Sequence, residues 1–368
     1  MDNTLKTVCK PTMCTGCMAC AQKCPKDAIT ISDDIFSLNA VIDGTKCIEC
    51  NQCYKVCQVN HPLDLTEPTD WWQGWANEQE VRANGSSGGV ASAMIKAFIK
   101  KGGAVCSCTF KNGEFGFQIA ENENDLNKFA GSKYVKSNPI DAYKKVFKAL
   151  KNQKVLFIGL PCQVAAVKKY VGDNENLYTT DLICHGTPSK KLLEGYLAQH
   201  KIELDSLNDI KFRNKTQYGL SGSNLKFSSR VCDAFSISFL SALNFTENCY
   251  HCNYAKIERV SDITLGDSWG STLTTEEQRK GVSLILCQTE KGKELVGISN
   301  LHLQDVDLNL AKQYNGPLNA PNLKSGKRDC LLQGFKDGKN YDRLVLKLLP
   351  KQTIRQYVKR VLIKLHII

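Results

Sequence analysis

Two closely similar runs of cysteine constrain this chain more than any other feature of its sequence. Both have the spacing C-x-x-C-x-x-C-x-x-x-C and both lie within the first sixty residues. Their members are Cys14, Cys17, Cys20 and Cys24 in the first run, and Cys47, Cys50, Cys53 and Cys57 in the second. Four thiolates hold a [4Fe–4S] cluster, and where two such runs occur together the fourth cysteine of each ligates the other cluster. The spacing therefore assigns one cluster to Cys14, Cys17, Cys20 and Cys57, and a second to Cys47, Cys50, Cys53 and Cys24.

Zinc sites and disulfides are the alternatives for these eight cysteines. Zinc knuckles need only two C-x-x-C pairs, so they leave the third and fourth cysteines of each run unexplained. Disulfides need an oxidising compartment, and residues 1–10 are polar, without the apolar segment of a secretory signal. Residues 1–60 resemble a two-[4Fe–4S] bacterial ferredoxin domain, which implies an α+β ferredoxin-like module. The one departure is Gln58, where that family usually has proline.

The composition is that of a soluble globular protein. Of the 368 residues, 42% are hydrophobic and 23% are charged, which allows two or three domains with ordinary cores. No stretch approaches the ~20 apolar residues of a membrane span. Eighteen cysteines without a secretory signal predict a reducing, cytoplasmic location. Because such clusters usually suffer in oxygen, we also expect an anaerobic host.

Alternating strands and helices predict a larger α/β domain, with a mostly parallel or mixed sheet, over residues 75–320. A linker is predicted at 61–74, where proline and polar residues interrupt any periodicity. Two strand–turn–helix units follow, with strands at 155–160 and 177–183. Cys162 and Cys184 lie in the turns after these strands, at the edge of a parallel sheet where ligands usually bind.

Two further motifs in this region are each weak alone. The glycine–serine loop 85–89 leads into an amphipathic helix and can hold a phosphate, although most such sequences are simple helix caps. Cys249 and Cys252 form a lone C-x-x-C pair, which fits zinc, redox or cluster chemistry. Together with Cys162 and Cys184 they offer four thiolates for one metal site; alternatively, Cys162 and Cys184 are small buried hydrophobes.

Residues from about 74 to 312 resemble the beta-subunit family of coenzyme F420 (deazaflavin) hydrogenases and dehydrogenases. The motifs that carry this resemblance are Ser87-Gly88-Gly89, Gly131-Ser132-Lys133-Tyr134-Val135, Gly159-Leu160-Pro161-Cys162-Gln163, Leu182-Ile183-Cys184-His185-Gly186, Cys249-Tyr250-His251-Cys252 and Ser261-Asp262-Ile263-Thr264-Leu265-Gly266-Asp267. The resemblance implies a non-covalent FAD beside a third [4Fe–4S] cluster. It implies that Cys162, Cys184, Cys249 and Cys252 are the ligands of that cluster.

The same resemblance suggests cofactor-binding roles for five residues, namely Ser87, Gly88, Gly89, Lys133 and Asp267. The backbone donors of Ser87, Gly88 and Gly89 would lie near the phosphate or the ring of FAD. Lys133 would place a charge near the flavin or substrate, and Asp267 would orient a ribose or ring nitrogen. The alternatives are a surface ion for Lys133 and a turn cap for Asp267. His185 either relays a proton or donates a hydrogen bond to a cluster sulfur.

These parts predict an iron–sulfur flavoprotein oxidoreductase. Clusters carry single electrons and a flavin can pass on two, so the set converts between one- and two-electron chemistry. Its partners would be a ferredoxin or other redox protein and a small organic acceptor, with either direction of flow. The alternative is a non-catalytic electron-transfer subunit of a larger redox complex. The family includes reductases of other small substrates, so nothing in the sequence identifies deazaflavin as the substrate.

The formal charge of +11 does not indicate nucleic-acid binding. Three clusters at about −2 each, with a dinucleotide pyrophosphate, would reduce it to about +3. The remainder suits an acidic redox partner.

The final predicted region is a basic, helical extension at 321–368. Within 344–368, lysine and arginine alternate with leucine, isoleucine and valine. Such a helix can lie on an anionic membrane surface, but we favour its docking on the same chain or on a partner.

Trp71, Trp72 and Trp75 are predicted to join the N-terminal module to the next domain; the alternative is that they stack on the flavin or shield a cluster.

Overall fold

The computed structural model describes residues 6–225, 227 and 230–367, and it contains two regions with separate sheets. The strands of this part of the chain are β1 (Ile29–Asp33), β2 (Leu38–Ile42), β3 (Asp70–Ala76), β4 (Ala104–Lys111), β5 (Glu114–Ala120), β6 (Val155–Gly159), β7 (Leu177–Leu182), β8 (Lys211–Asn214), β9 (Gln217–Ser221), β10 (Ile263–Asp267), β11 (Ser283–Cys287) and β12 (Leu301–Gln304).

The α-helices of the described residues surround these strands. They are α1 (Ala19–Lys23), α2 (Gln52–Val56), α3 (Gln79–Asn84), α4 (Val90–Lys100), α5 (Ala142–Ala149), α6 (Pro161–Val171), α7 (Lys190–Gln199), α8 (Ala234–Leu240), α9 (Thr275–Lys280), α10 (Glu290–Ile298), α11 (Leu308–Tyr314), α12 (Gly326–Lys336), α13 (Tyr341–Leu348) and α14 (Pro350–Lys364). Short 3₁₀ helices occur at Glu123–Phe129, Leu204–Ser206, Glu247–His251 and Gly316–Leu318.

The N-terminal module repeats one local structure in its two cysteine runs. Helix α1 begins two residues after Cys17, and α2 begins two residues after Cys50. The residues just before these helices, Met18 and Asn51, have left-handed φ angles of 64° and 56°. The β1–β2 hairpin is antiparallel and closes the module. The repeated cysteine spacing thus corresponds to a repeated backbone path.

The second region is built on a mixed sheet of eight strands, in the order β12-β3-β11-β10-β7-β6-β4-β5. The central strands β4, β6, β7 and β10 are parallel, and antiparallel strands flank them on both sides. All residues of β6 and β11 are buried, as expected where both faces of a sheet are covered. The predicted fold class, a small α+β module followed by a larger α/β domain with a mixed sheet, is confirmed.

The predicted strand–turn–helix units place Cys162 and Cys184 at one edge of this sheet. Helix α6 begins at Pro161, so Cys162 lies in its first turn and not in a separate turn as predicted. Proline suits the first helical position because its missing N–H would be unpaired there anyway. The Gln163 side chain also accepts a hydrogen bond from the Leu160 N–H at 2.9 Å. Cys184 follows β7 in a loop.

The N-terminal module packs directly on the large domain. Gln22 is the best example, since its amide donates to the Pro139 carbonyl at 2.8 Å and accepts from the Tyr143 N–H at 3.0 Å. The two regions also share one hydrophobic core. The segment predicted as a linker, 61–74, includes the first five residues of β3, and Thr66 pairs with Arg259.

The three tryptophans lie in β3, between β11 and β12. Trp72 packs in the core of the large domain. The Trp75 ring stacks on His302, with 4.4 Å between ring centroids, and the Arg82 guanidinium lies 4.2 Å from its centroid.

The predicted C-terminal helix is two helices. Pro350 lacks an N–H and restricts the residue before it, so α13 ends at Leu348 and α14 begins at Pro350. Helix α14 does dock on its own chain, but through its polar face. Thr353 is buried, and the Gln356 side chain accepts from the Cys232 N–H at 3.0 Å. Among the described residues, a helix of the length and apolar character needed to cross a bilayer was not found.

Candidate functional site

The structure brings the fourth cysteine of each N-terminal run to the other run. Cys20 lies in the charge environment of Cys14, Cys17 and Cys57, and Cys53 in that of Cys24 and Cys47. The two groups differ in exposure. Cys14, Cys17, Cys20 and Cys57 are buried, whereas Cys24, Cys47 and Cys53 are half-buried and Cys50 is exposed. The second group therefore lies at the surface and the first lies inside.

A ninth cysteine, which the motif did not predict, adjoins the buried group. Interaction with the buried Cys9 thiol lowers the pKa of Cys14 to about 7 and that of Cys57 to about 6. Burial, by contrast, raises the pKa of Cys17 to about 12. Only deprotonated sulfur is a good iron ligand, so Cys9 favours the ligating form of two of its neighbours.

Cys162, Cys184, Cys249 and Cys252 line one small cavity of about 60 Å³. The first two come from the sheet edge, and the other two from the Glu247–His251 turn and the residue that follows it. Within the described ranges, the structure has no group of three or more His, Cys, Asp or Glu side chains placed to hold a single metal ion. A four-iron cluster differs from a single ion because each thiolate binds its own iron at one corner of a cube.

Two cations accompany these thiols, and the half-buried Lys136 is the first. It donates to the Thr15 carbonyl at 3.1 Å and to Asn248 Oδ1 at 3.4 Å, and its Nζ lies 4.0 Å from Cys249 Sγ. Burial alone would lower the pKa of Lys136, but the nearby cysteines, Cys249 first, raise it overall. Burial alone would raise the pKa of the Cys249 thiol, but Lys136 and Thr187 lower it below the ordinary value. The site therefore favours an anionic group.

Arg259 is the second cation of the small cavity. Its side chain is only 1% exposed, and its Nε and Nη2 atoms have no hydrogen-bond partner within the described part of the protein. Burial and the neighbouring Cys249 raise the pKa of Cys252, and Arg259 opposes part of this rise. Buried guanidinium N–H groups without a hydrogen-bond acceptor are costly. A [4Fe–4S] cluster with four thiolates carries about −2 and offers sulfur acceptors, so the residues present fit such a group.

Gln58 connects the small cavity to the buried N-terminal cysteines. It is 2% exposed, donates to Thr15 Oγ1 at 3.1 Å and accepts from the Tyr254 hydroxyl at 2.5 Å. Proline has no side-chain amide and could make neither bond. The departure from the ferredoxin pattern at this position thus has a structural reason: Gln58 joins the N-terminal module to the chain segment that follows Cys252.

A larger cavity of about 460 Å³ lies beside the small one. This volume is typical of small-molecule sites. The two cavities share several lining residues, which are Leu160, Cys184, His185, Gly186, Thr187, Pro317 and Asn322. The first turn of α4 and the loop before it also line the larger cavity. The first N–H groups of a helix have no partners within it, so they favour an anion there.

The predicted loop 85–89 has one face on the larger cavity. Ser87 and Gly89 line it, and Gly89 has a φ of +77°, which favours glycine. Gly88 does not line the cavity, and its N–H donates to Ser283 Oγ at 3.0 Å. A Cβ at Gly88 would lie 2.5 Å from the Gly74 carbonyl oxygen, so this glycine allows the loop to approach β3 closely. Trp71, Trp72 and Trp75 do not line the cavity.

A lysine that sequence analysis missed holds this loop in place. Lys215, in the turn between β8 and β9, donates to the carbonyl of Arg82, to that of Gly85 at 2.7 Å and to that of Ser87 at 2.9 Å. Burial and the neighbouring arginines lower the pKa of Lys215 to about 8. No sequence motif marks this residue, since its partners lie more than one hundred positions away.

Lys133 and Asp267 both line the larger cavity. Lys133 donates to the carbonyls of Phe129 at 2.9 Å and Ala130 at 3.0 Å, and burial lowers its pKa. Asp267 ends β10 and forms a two-bond ion pair with Arg213, at 2.6 and 3.1 Å.

Arg213 is a further residue of this cavity that sequence analysis missed. Besides its ion pair, it contacts the Tyr134 hydroxyl at 3.3 Å and lies 5.0 Å from the Tyr218 ring centroid. The short β8–β9 hairpin that carries it has no distinctive sequence pattern, so no local signal marks it.

His185 lies in the wall between the two cavities. Its Nε2 atom is buried and has no hydrogen-bond partner among the described residues, and burial lowers its pKa. Its ring packs against Phe239 and Phe245. The side chain is therefore placed to interact with a group bound in either cavity, as a neutral imidazole.

Comparisons with known proteins agree with this division of the chain. The family model of the coenzyme F420 hydrogenase/dehydrogenase beta subunit matches in two parts, its N-terminal part at residues 71–143 and its C-terminal part at 152–305. A 4Fe–4S dicluster domain matches residues 13–61. The prediction of an N-terminal iron–sulfur domain is confirmed by this match to the 4Fe–4S dicluster domain.

Individual proteins are more distantly similar. One subunit of the F420H2 dehydrogenase of Methanosarcina mazei is 22% identical in an alignment of 329 positions that covers 81% of this chain and 91% of that protein. An uncharacterized ferredoxin-like protein of Haemophilus influenzae is 39% identical in an alignment of 54 positions that covers 13% of this chain and 58% of that protein.

A chain in the xenon-derivatized F420-reducing [NiFe] hydrogenase complex of Methanosarcina barkeri aligns with 68% of this chain and 89% of its own length, at 19% identity and a TM-score of 0.48. The two matched parts of the family cover more than half of the residues. The chain therefore belongs to the coenzyme F420 hydrogenase/dehydrogenase beta-subunit family and has a 4Fe–4S dicluster domain before its family-specific region.

Proposed function

We propose that this chain is an iron–sulfur flavoprotein oxidoreductase that carries three [4Fe–4S] clusters and FAD. It exchanges electrons between a ferredoxin-type protein and a small organic acceptor. Bound together, the clusters and the flavin supply conversion between one-electron and two-electron chemistry. In this proposal the eight cysteines of the two N-terminal runs hold two clusters. Cys162, Cys184, Cys249 and Cys252 hold the third.

One observation carries the proposal: the candidate sites are contiguous. Lys136 contacts both the Thr15 carbonyl, next to Cys14, and Cys249. Cys184 and His185 then lie in the wall that the two cavities share. A non-catalytic subunit would need the clusters but not a cavity of about 460 Å³ at their end, so the large cavity favours an enzyme.

The protein's own residues divide the work. The exposed Cys50, with the exposed Ile48 and Tyr54 beside it, offers a contact surface for a redox partner. Inside the chain, Lys136 and Arg259 balance the charge of the third site. In the larger cavity, the α4 N-terminus and the loop 85–89 would hold the phosphates of FAD. Tyr134 and Tyr218, which flank Arg213, would contact the flavin ring or the acceptor.

Membership of the family suggests only which acceptor to test first. The Methanosarcina mazei relative described above is named for F420H2, so a deazaflavin is the first acceptor to test. Arg213 does not offer a free positive charge to an acidic acceptor, since Asp267 already neutralises it.

Anaerobic purification with iron and flavin analysis tests the proposal. We expect about twelve iron atoms per chain and FAD released on denaturation, followed by reoxidation of the reduced protein by a small acceptor. Twelve irons without flavin would instead support the non-catalytic electron-transfer subunit. About eight irons would remove the third cluster.

Arg259→Met is expected to lower the midpoint potential of the third cluster. The guanidinium favours the more negative, reduced state, and a loss of roughly 1 kcal/mol of this preference corresponds to about 40 mV for one electron. Redox titration followed by electron paramagnetic resonance measures the shift. Arg279→Met, at an exposed position of α9, is the control. An unchanged potential in Arg259→Met would show that the guanidinium does not act on the cluster.

Lys215→Ala is expected to weaken FAD binding by about tenfold or more. The substitution removes three hydrogen bonds, each contributing roughly 0.5–1.5 kcal/mol, that fix the loop 85–89 without contacting the cavity themselves. Fluorescence of FAD freed on dilution gives the dissociation constant. Lys211→Ala, on the same hairpin but exposed, should bind FAD normally. Equal affinity in both variants would contradict the role of Lys215.

A further inference from the structure

Helix α14 presents an apolar stripe to solvent. Ile354, Val358, Val361 and Leu365 follow one another at spacings of four, three and four residues, so they lie along one face. With Tyr357, these side chains are between 43% and 62% exposed. A helix that docks on its own chain normally buries such a stripe. Here the opposite face, with Thr353 and Gln356, contacts the protein instead.

Basic residues border the stripe on both sides. On a helix of 3.6 residues per turn, Lys351 and Arg355 lie along one border, and Arg360 and Lys364 lie along the other. All four are exposed. The segment 350–367 contains no aspartate or glutamate, and the ion pairs found among the described residues do not involve its lysines or arginines. The outward face is therefore apolar in the middle and cationic at both edges.

We propose that α14 lies in the surface of an anionic lipid bilayer. A helix in the plane of such a surface places its apolar stripe among the acyl chains, while lysine and arginine on both borders reach the negatively charged headgroups. A lipid surface meets both borders at once with the same charge. It also covers an apolar stripe without needing a groove of matching shape. The burial of Thr353 and the hydrogen bond between Gln356 and the Cys232 N–H hold the helix with this face outward.

Co-sedimentation of the full chain with lipid vesicles tests this inference. The probes are vesicles of phosphatidylcholine alone and vesicles in which about one third of the lipid is phosphatidylglycerol. We expect the chain to bind the anionic vesicles at least about tenfold more tightly than the neutral ones, with binding that weakens as salt is raised. Equal binding to both kinds of vesicle, or none to either, would overturn the inference.

Two double variants test the apolar stripe and one cationic border of α14 separately. Val358→Gln with Val361→Gln removes the centre of the stripe and keeps every charge, whereas Lys351→Gln with Arg355→Gln removes one cationic border. Each should reduce binding to anionic vesicles by about tenfold. Phe147→Gln, which replaces an exposed apolar side chain on α5, is the control and should bind as the unaltered chain does.

Instead of a lipid surface, a second copy of the chain or a protein partner could cover the apolar stripe of α14. Light scattering of the unaltered chain without lipid decides the first case: a dimer that Val358→Gln with Val361→Gln converts to a monomer would overturn the lipid assignment. Unchanged iron content in all variants shows that they fold, because the candidate cluster sites lie outside α14. The result is independent of the proposed function, since it is read without any redox measurement.

Discussion

Cys162→Ala is expected to reduce the iron content from about twelve to about eight atoms per chain while the N-terminal clusters remain. Cys162 lines the small cavity with Cys184, Cys249 and Cys252, and one missing thiolate leaves an iron without its protein ligand. Burial holds the pKa of the Cys162 thiol well above its ordinary value, so without a metal this thiol stays protonated. Iron analysis and electron paramagnetic resonance of the reduced protein measure the loss. Cys252→Ala should give the same result.

Cys106→Ala is the matched control for this experiment. Cys106 is a fully buried cysteine of the same domain, and burial raises its pKa above the ordinary value, as it does for Cys162. It lies in β4 and lines neither cavity. The Cys106→Ala protein should keep about twelve iron atoms per chain. A Cys162→Ala protein with the iron content of the control would exclude Cys162 as a ligand, whatever its flavin content.

Arg328→Met is expected to destabilise the folded chain by roughly 3–5 kcal/mol. Arg328 is 1% exposed, and its guanidinium donates to the Phe36 carbonyl at 2.6 Å, the Phe245 carbonyl at 3.0 Å and Glu247 at 3.0 Å. Methionine fills a similar volume but donates to none of these acceptors, of which the Phe36 carbonyl keeps the Glu247 N–H and Glu247 keeps Lys324. Because Phe36 belongs to the N-terminal module and Glu247 lies two residues before Cys249, the loss should also loosen the third site. A thermal unfolding midpoint lower by several degrees is the expected readout.

Lys327→Met gives the comparison for Arg328. Lys327 is the preceding residue on α12 and is exposed, and within the described part of the chain its side chain donates only to the Leu348 carbonyl, at 3.0 Å. Surface substitutions of this kind change stability by less than about 0.5 kcal/mol. If the two variants unfold at the same temperature, Arg328 does not join the regions energetically. If Arg328→Met alone is less stable but keeps its iron, the effect is on the module contact and not on the third site.

Local sequence patterns predicted those elements whose structure depends on neighbours in the chain. The helix expected after the loop 85–89 is α4, and the apolar segments at 155–160 and 177–183 are β6 and β7 with nearly the predicted bounds. The break at Pro350 was missed, although proline is itself a local signal. The start of α6 at Pro161 was missed for a related reason, since proline there begins a helix and does not only form a turn.

The residues of the candidate sites also differ in whether a local sequence pattern indicated them. Fixed spacings between cysteines are local, so the sequence indicated which sulfur atoms belong together in the N-terminal module. It also indicated Cys162, Cys184, Cys249 and Cys252 as one candidate set. It did not indicate Lys136, Arg259, Arg213 or Lys215. Each of these acts on groups that the chain brings near only after the sheet and the hairpin have formed.

The sequence by itself determined the number and spacing of the candidate cysteine ligands and the type of several strands and helices around them. These follow from short-range geometry, in which a few residues fix their own backbone path. The tertiary structure alone decided which cations face the cysteines, which cavity adjoins them and which face of α14 points outward. Such charges and contacts depend on distances between remote residues, and Lys215 with Ser87, 128 positions apart, shows why periodicity and spacing do not reveal them.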